Sequence, residues 1–155
     1  MNAPGTDRLP EIKDIKTRAL MEMILQFAGG VPRDVLVIGC GTGREAGLMA
    51  RAFGSRVVGI DIDSMFTLDH AGSAPAELHL MDARSMTFPD ESFDLVYSFH
   101  ALEHIPQHRT ALAEMSRVLR RGKAYCVGTP NSARLVGYPQ AAEPLSNKIR
   151  YNLKD

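Results

Sequence analysis

Val35-Leu36-Val37-Ile38-Gly39-Cys40-Gly41-Thr42-Gly43 is the stretch whose reading decides the fold. Its first part is an unbroken apolar run, mostly β-branched, between Asp34 and Gly39. A strand covered on both faces has this pattern, as in a parallel sheet. A glycine-rich turn follows at once. Residues 44 to 53 are then helical in pattern, with Ala46, Leu48, Met49, Ala50 and Ala52, and Gly54-Ser55 ends them.

Upstream, residues 1–9 form a loose polar lead-in. Pro10 takes the N1 position of a helix running to about Phe27. Ile12, Ile15, Ala19, Met23 and Phe27 recur at steps of three or four, which predicts one apolar face. Downstream, Arg56 to Asp61 reads as a second strand ending in an acid. Ser64 to His70 reads as a short helix, broken by Gly72-Ser73-Ala74-Pro75. Glu77 to Met81 alternates as a third strand, and Asp82 to Asp90 is a loop. Phe93 to Ser98 is the fourth strand. Gln107 to Arg120 is a helix with Leu112, Met115 and Leu119 on one face, and Lys123 to Gly128 is the fifth strand. Strands alternating with helices predict βαβ crossovers and a parallel sheet. The domain is expected over residues 10–131. Residues 132–155 are Pro-broken and read as irregular or short-helical, with Leu145 to Leu153 the helical part.

The chain has 155 residues, which suits one domain with a single core. Its 18 Lys+Arg balance 18 Asp+Glu. Zero net charge argues against a general nucleic-acid binder, which carries a basic surplus. No apolar run approaches the roughly 18 residues of a spanning helix. The N-terminus lacks the pattern of a secretory signal. Two cysteines make no disulfide framework, so the expected location is cytoplasmic.

The glycine turn lets a backbone approach a ligand closely while a helix N-terminus offers free N–H groups. Its spacing, with glycines at 39, 41 and 43, is not the dinucleotide fingerprint, whose third glycine falls one residue later. A tight turn without ligand has the same sequence. Asp61, ending the second strand, is placed to accept ribose hydroxyls, although a helix-capping acid would sit there too. Asp82-Ala83, ending the third strand, is placed for an adenine amino group, although a simple loop acid would also do. In an open α/β sheet, ligands bind at the carboxyl ends of the strands, and all these elements lie there.

These motifs, with Val58-Gly59-Ile60-Asp61, Met81-Asp82-Ala83 and Phe93-Asp94-Leu95-Val96-Tyr97-Ser98, resemble the class I S-adenosylmethionine-dependent methyltransferases. Leu102-Glu103-His104-Ile105 and Ser116-Arg117-Val118-Leu119 resemble the small-molecule branch labelled type 11. The likeness runs over about residues 31–131. It implies a Rossmann-like, doubly wound parallel sheet in the order 3-2-1-4-5, with S-adenosylmethionine as cofactor. By the resemblance Gly39, Gly41 and Gly43 hold the methionine part, Asp61 takes the ribose hydroxyls, Asp82 and Ala83 flank the adenine, and Cys40 and Ile62 are among the cofactor-binding residues. Phe99 and His100 lie near the reactive sulfonium. The sequence departs from the family in having Val37 where an acid is usual, and Arg121-Gly122-Lys123 where Pro-Gly-Gly is usual.

Histidines recur at 100, 104 and 108. His100-Ala101-Leu102-Glu103-His104 would, on a helix, turn three ligand-type side chains to one side, and some related methyltransferases hold a divalent ion with a similar motif. The preferred reading has no metal: His104 and Glu103 fix the loop, and His100 lines the pocket. His100 or His104 is the candidate general base toward an acceptor hydroxyl.

The turn after the fourth strand, Ser98-Phe99-His100-Ala101, lacks the prolines typical of enzymes acting on nucleic-acid bases. A small-molecule acceptor is therefore expected, on oxygen, carbon or nitrogen. A nicotinamide-dependent oxidoreductase is disfavoured by the glycine spacing. The other alternative is a truncated or non-catalytic domain that binds cofactor or a partner. The resemblance implies two further strands after the fifth, and the sequence there offers no convincing one. That predicts either a homodimer through the fifth-strand edge or a chain that is a fragment of a longer product.

Overall fold

The computed structural model describes Leu9, residues 15–63 and residues 76–129. Its elements are α1 (Ile15–Ala28), β1 (Asp34–Ile38), α2 (Arg44–Phe53), β2 (Arg56–Asp61), β3 (Glu77–Leu80), β4 (Phe93–Phe99), α3 (His108–Val118) and β5 (Leu119–Gly128). The strands form one sheet in the order β3-β2-β1-β4-β5, with every pairing parallel. This is the expected doubly wound arrangement. The order reverses between β1 and β4, so the chain leaves these neighbouring strands in opposite directions and opens a crevice at their carboxyl ends.

Alternation sorts the sheet residues onto two faces. Val35, Val37, Val57, Leu95 and Tyr97 pack with α1 and α2. Leu36, Ile38, Val58, Ile60 and Val96 pack with Ala111, Met115 and Val118 of α3. The apolar run that opened the sequence is buried on both sides, as its lack of alternation requires.

The helix faces differ from the periodicity. On α1 the buried residues are Met21, Ile24 and Leu25, while Met23 is exposed and Phe27 is 75% exposed. Ala19 is exposed too. The helix is apolar on more than one side, so a three-four count fits two stripes, and packing on the sheet takes the stripe through Met21 and Leu25. Pro10, Ile12 and the Ile15 side chain lie outside the described residues. So do the expected helix from Ser64 to His70 and the tail from 130 to 155, including Leu145 to Leu153.

Helix α3 ends at Val118 rather than Arg120, and buries Ala111, Met115 and Val118 rather than Leu112 and Leu119. The chain straightens at once because Leu119 pairs with Phe93, and a bulge follows before Ala124 meets Leu95. Arg120 is drawn to Asp34 at 2.9 Å and to Asp94 at 3.1 Å.

Buried Asp94 ties the amino ends of the strands. Its carboxylate accepts the N–H groups of Arg33 at 3.0 Å and Asp34 at 3.2 Å. Burial pushes its pKa up. The hydrogen bonds from Arg120, Asp34 and Arg33 outweigh this and hold it below the ordinary carboxylate range. On the α3 face, Arg117 donates to the carbonyls of Met86 and Phe88 at 2.9 and 2.7 Å, and Glu114 accepts the Met86 N–H at 2.7 Å. These bonds fix the loop between β3 and β4, and with it the approach to Asp82.

Candidate functional site

The glycine turn is shaped by what surrounds it. Gly39 has φ +68, and a Cβ there would overlap the Ala101 side chain. The N–H groups of Gly39 and Cys40 both donate to the Ile60 carbonyl, at 2.9 and 3.1 Å, fastening the turn to β2. Gly43 is buried, with Leu78 where a side chain would go, so its part is packing. Gly41 differs. It has φ +51, with open space where a Cβ would point. Cys40 is buried, and its thiol is pushed up to about 12, first by burial and then by the charge of Asp61. A thiol in that state is inert.

The Asp61 carboxylate accepts the Gly41 N–H at 2.8 Å and the Asp63 N–H at 3.1 Å. A carboxylate has about four lone-pair sites, so acceptor capacity remains. Asp61 faces a cavity of about 260 Å³ at the carboxyl edge. Whole ligand pockets usually run to ~300–1,000 Å³, so this one suits part of a larger molecule, such as a base and its sugar. Its far wall is Met81, Asp82, Ala83 and Arg84. His100, Ala101, His104, Ile105 and Pro106 close the near side.

His100 follows β4 at φ +55, an uncommon conformation for a residue with a Cβ. Its N–H donates to the Gly128 carbonyl at 2.8 Å, and its Nδ1 lies 3.5 Å from the Glu103 Oε1. Phe99 packs edge-on to the His100 ring at 4.4 Å and stacks with Tyr97 at 6.2 Å. The His-x-x-Glu-His stretch is not an α-helix. Only Leu102–His104 form a single 3-10 turn. His100 lies before that turn, in a left-handed conformation, and meets Glu103 through its ring Nδ1. Among the described residues no three His, Cys, Asp or Glu side chains gather as a metal ion would need, so the alternative set of His100, Glu103 and His104 is not assembled.

A family model described as a methyltransferase domain matches residues 36–127, from within β1 to within β5. The chain belongs to this methyltransferase-domain family. It is 32% identical over 141 residues to the O-methyltransferase cnsE of Penicillium expansum, covering 82% of this chain and 51% of that one. It is 34% identical over 116 residues to a probable S-adenosylmethionine-dependent methyltransferase of Mycolicibacterium smegmatis, covering 74% of this chain and 44% of the relative. The YcgJ protein of Bacillus subtilis superposes with a TM-score of 0.61 at 26% identity, over 70% of this chain and 49% of that one. The chain thus spans about half the length of the curated relatives it matches.

In this methyltransferase domain the cavity gathers Gly39, Asp61, Ile62, Asp82, Ala83, His100 and His104 from the expected set. Cys40, Gly41, Gly43 and Phe99 stand outside its lining. Arg84 lines it without having been expected. The signal was available: Arg84 stands two residues after Asp82, where an Asx turn brings backbone and side chain together. Ile105 and Pro106 were also missed, because nothing in sequence shows that the turn after β4 folds back over the cavity. No helix among the described residues is long and apolar enough to cross a membrane.

Proposed function

We propose that this domain binds S-adenosylmethionine at the carboxyl edge of its sheet and transfers the methyl group to a small-molecule acceptor. The observation that carries this is Asp61, which both fastens the open Gly41 turn and faces the cavity that ends at Asp82 and Ala83. The residues fit the group. Asp61, beside Ile62, has lone pairs left for two ribose hydroxyls. Asp82 and Ala83 take the base edge. The turn from Gly39 to Gly43 takes the amino-acid end, and Phe99 and His100 border the reactive sulfur.

When bound, the cofactor supplies an electrophilic methyl group. The chain's own work is alignment and proton handling. His100 and His104 line the cavity, and either is the base for an acceptor hydroxyl. The strained His100 backbone fixes that ring by its bond to Gly128. The relatives named O-methyltransferases favour oxygen acceptors, and neutral overall charge disfavours nucleic acid.

The test is calorimetry with S-adenosylmethionine and S-adenosylhomocysteine, with NAD as control, followed by methyl transfer from labelled cofactor to phenols and other small acceptors. Absence of binding at millimolar cofactor refutes the reading. Binding without turnover supports the alternative of a non-catalytic domain. His100→Asn and His104→Asn then separate the base: the true one flattens the pH–rate profile and lowers turnover at saturating cofactor, beyond any change in cofactor affinity.

Two finer readings accompany this. Both cysteines are free, which suits a reducing cytoplasm. β5 is an edge of the described sheet with Tyr125 61% exposed, which suits pairing with a second copy. Light scattering decides the latter.

A further inference from the structure

We propose that Arg84 is a positioning residue that makes the base site selective for a 6-aminopurine over a 6-oxopurine. This rests on the cofactor reading above. Arg84 and Asp82 form a closed fork. Asp82 Oδ1 accepts the Arg84 backbone N–H at 2.8 Å and Nε at 3.0 Å. Oδ2 accepts Nη2 at 2.6 Å and shares Nε at 3.0 Å. Of the roughly four lone-pair sites on a carboxylate, these contacts leave Oδ2 about one.

The fork also reaches the turn before α3. Arg84 Nη1 lies 3.4 Å from Gln107 Oε1 there. Arg84 therefore links the segment after β3 to the one after β4. A bidentate guanidinium fixes the plane of the carboxylate it holds. It also holds Asp82 below the usual carboxylate range, chiefly through its side-chain hydrogen bonds. Asp82 is then an acceptor that neither rotates nor takes up a proton.

Ala83 beside it is buried and lines the cavity, and its N–H has no partner among the described residues. An acceptor and a donor side by side match adenine, whose 6-amino group donates and whose N1 accepts. A 6-oxopurine has the reverse: its O6 would meet the carboxylate, and its N1–H would meet the Ala83 N–H. Sites built on polar pairing reject such mismatches far more strongly than apolar pockets reject a change of size. Ile62, 74% exposed at the cavity rim, offers apolar surface for the ring without choosing between the two bases. Without Arg84, Asp82 is free to turn, and the discrimination weakens.

The experiment is calorimetric titration of the whole chain, wild type and Arg84→Ala, with S-adenosylhomocysteine and S-inosylhomocysteine. Wild type is expected to prefer the adenosyl compound by roughly 100-fold. Arg84→Ala should bind it roughly tenfold more weakly, with the inosyl compound unchanged or tighter, so that selectivity falls. Arg84→Lys keeps the charge without the fork and should fall between. It also serves as the reading if Arg84→Ala does not fold by circular dichroism. Equal weakening of both ligands, or no change in either, overturns the inference while leaving the cofactor reading intact. Wild type binding neither ligand overturns the cofactor reading, and this inference with it.

Discussion

The Asp61 carboxylate and the Gly41 N–H, 2.8 Å apart, join the end of β2 to the middle of the turn that follows β1. One side chain thus shapes the loop and faces the cavity. The acid adds to the bonds from the Gly39 and Cys40 N–H groups to the Ile60 carbonyl in holding the turn, in which Gly41 takes a left-handed conformation open to glycine.

Asp61→Ala should therefore lose more than a ribose contact. It leaves the Gly41 and Asp63 N–H groups without their acceptor. Cofactor affinity is expected to fall roughly 100-fold, at ~1.5–3 kcal/mol for a hydrogen bond to a charged group. Asp61→Asn keeps one acceptor oxygen and should lose less. Calorimetry with S-adenosylhomocysteine measures both. Equal losses for the two variants would show that the charge and the second oxygen carry the whole effect.

Gly39 and Gly41 should fail in different ways when changed to alanine. At Gly39 the new methyl overlaps Ala101, and the positive φ adds strain. The expected cost is about 2–4 kcal/mol of stability. Ala101→Gly in the same chain should recover part of it. At Gly41 the methyl points into open space, so stability should drop by only about 1 kcal/mol, while cofactor binding is blocked. Urea unfolding and calorimetry on the two variants give the comparison. A Gly41→Ala chain that binds cofactor normally would place the ligand elsewhere.

The two glycines also mark how far sequence reached. The strands and the acids at their ends were legible because a doubly covered strand has no alternation and because strand-end acids precede turns, while the strand order followed from the family resemblance. The bounds of α2 and β2 match those expected. What a glycine is for was not legible: 39, 41 and 43 look alike in sequence, yet only Gly41 faces open space, a fact set by Ala101 and Leu78 from distant segments. The faces of α1 and α3 were misjudged for a related reason. Both helices carry apolar residues outside the packed stripe, and only the sheet decides between stripes. Arg84 was missed although Asp82 stands two residues before it; its contact with Gln107 is what only the fold brings together.

Arg117 makes a prediction about that same cavity wall. It donates to Glu114 Oε1 at 2.6 Å and Asp90 Oδ1 at 2.8 Å, besides the Met86 and Phe88 carbonyls. A lysine keeps the charge but cannot reach so many acceptors in one plane. Arg117→Lys is expected to destabilise by about 2 kcal/mol. It should also raise amide exchange through the loop between β3 and β4, and weaken cofactor binding several-fold. Unchanged exchange in that loop would show that α3 alone holds it.

Asp94 should contribute to the acid side of the stability curve. Burial raises its pKa, but the bonds from Arg120, Asp34 and Arg33 win and leave it depressed in the fold. An unfolded aspartate titrates near ~3.9. Between the lower folded value and that one, the unfolded chain binds more protons, so stability rises with pH across this window. The contribution is complete above the unfolded pKa and is lost as pH falls through the folded one. Glu114 adds in the same direction, through its Arg117 hydrogen bond first and the Met86 N–H after opposing burial. Asp94→Asn should cost about 2 kcal/mol at pH 7, with the gap to wild type narrowing as pH drops below ~4. Urea unfolding at pH 7, 5 and 3.5 tests this. A gap that stays constant across the three would mean that Asp94 acts through packing rather than through its charge.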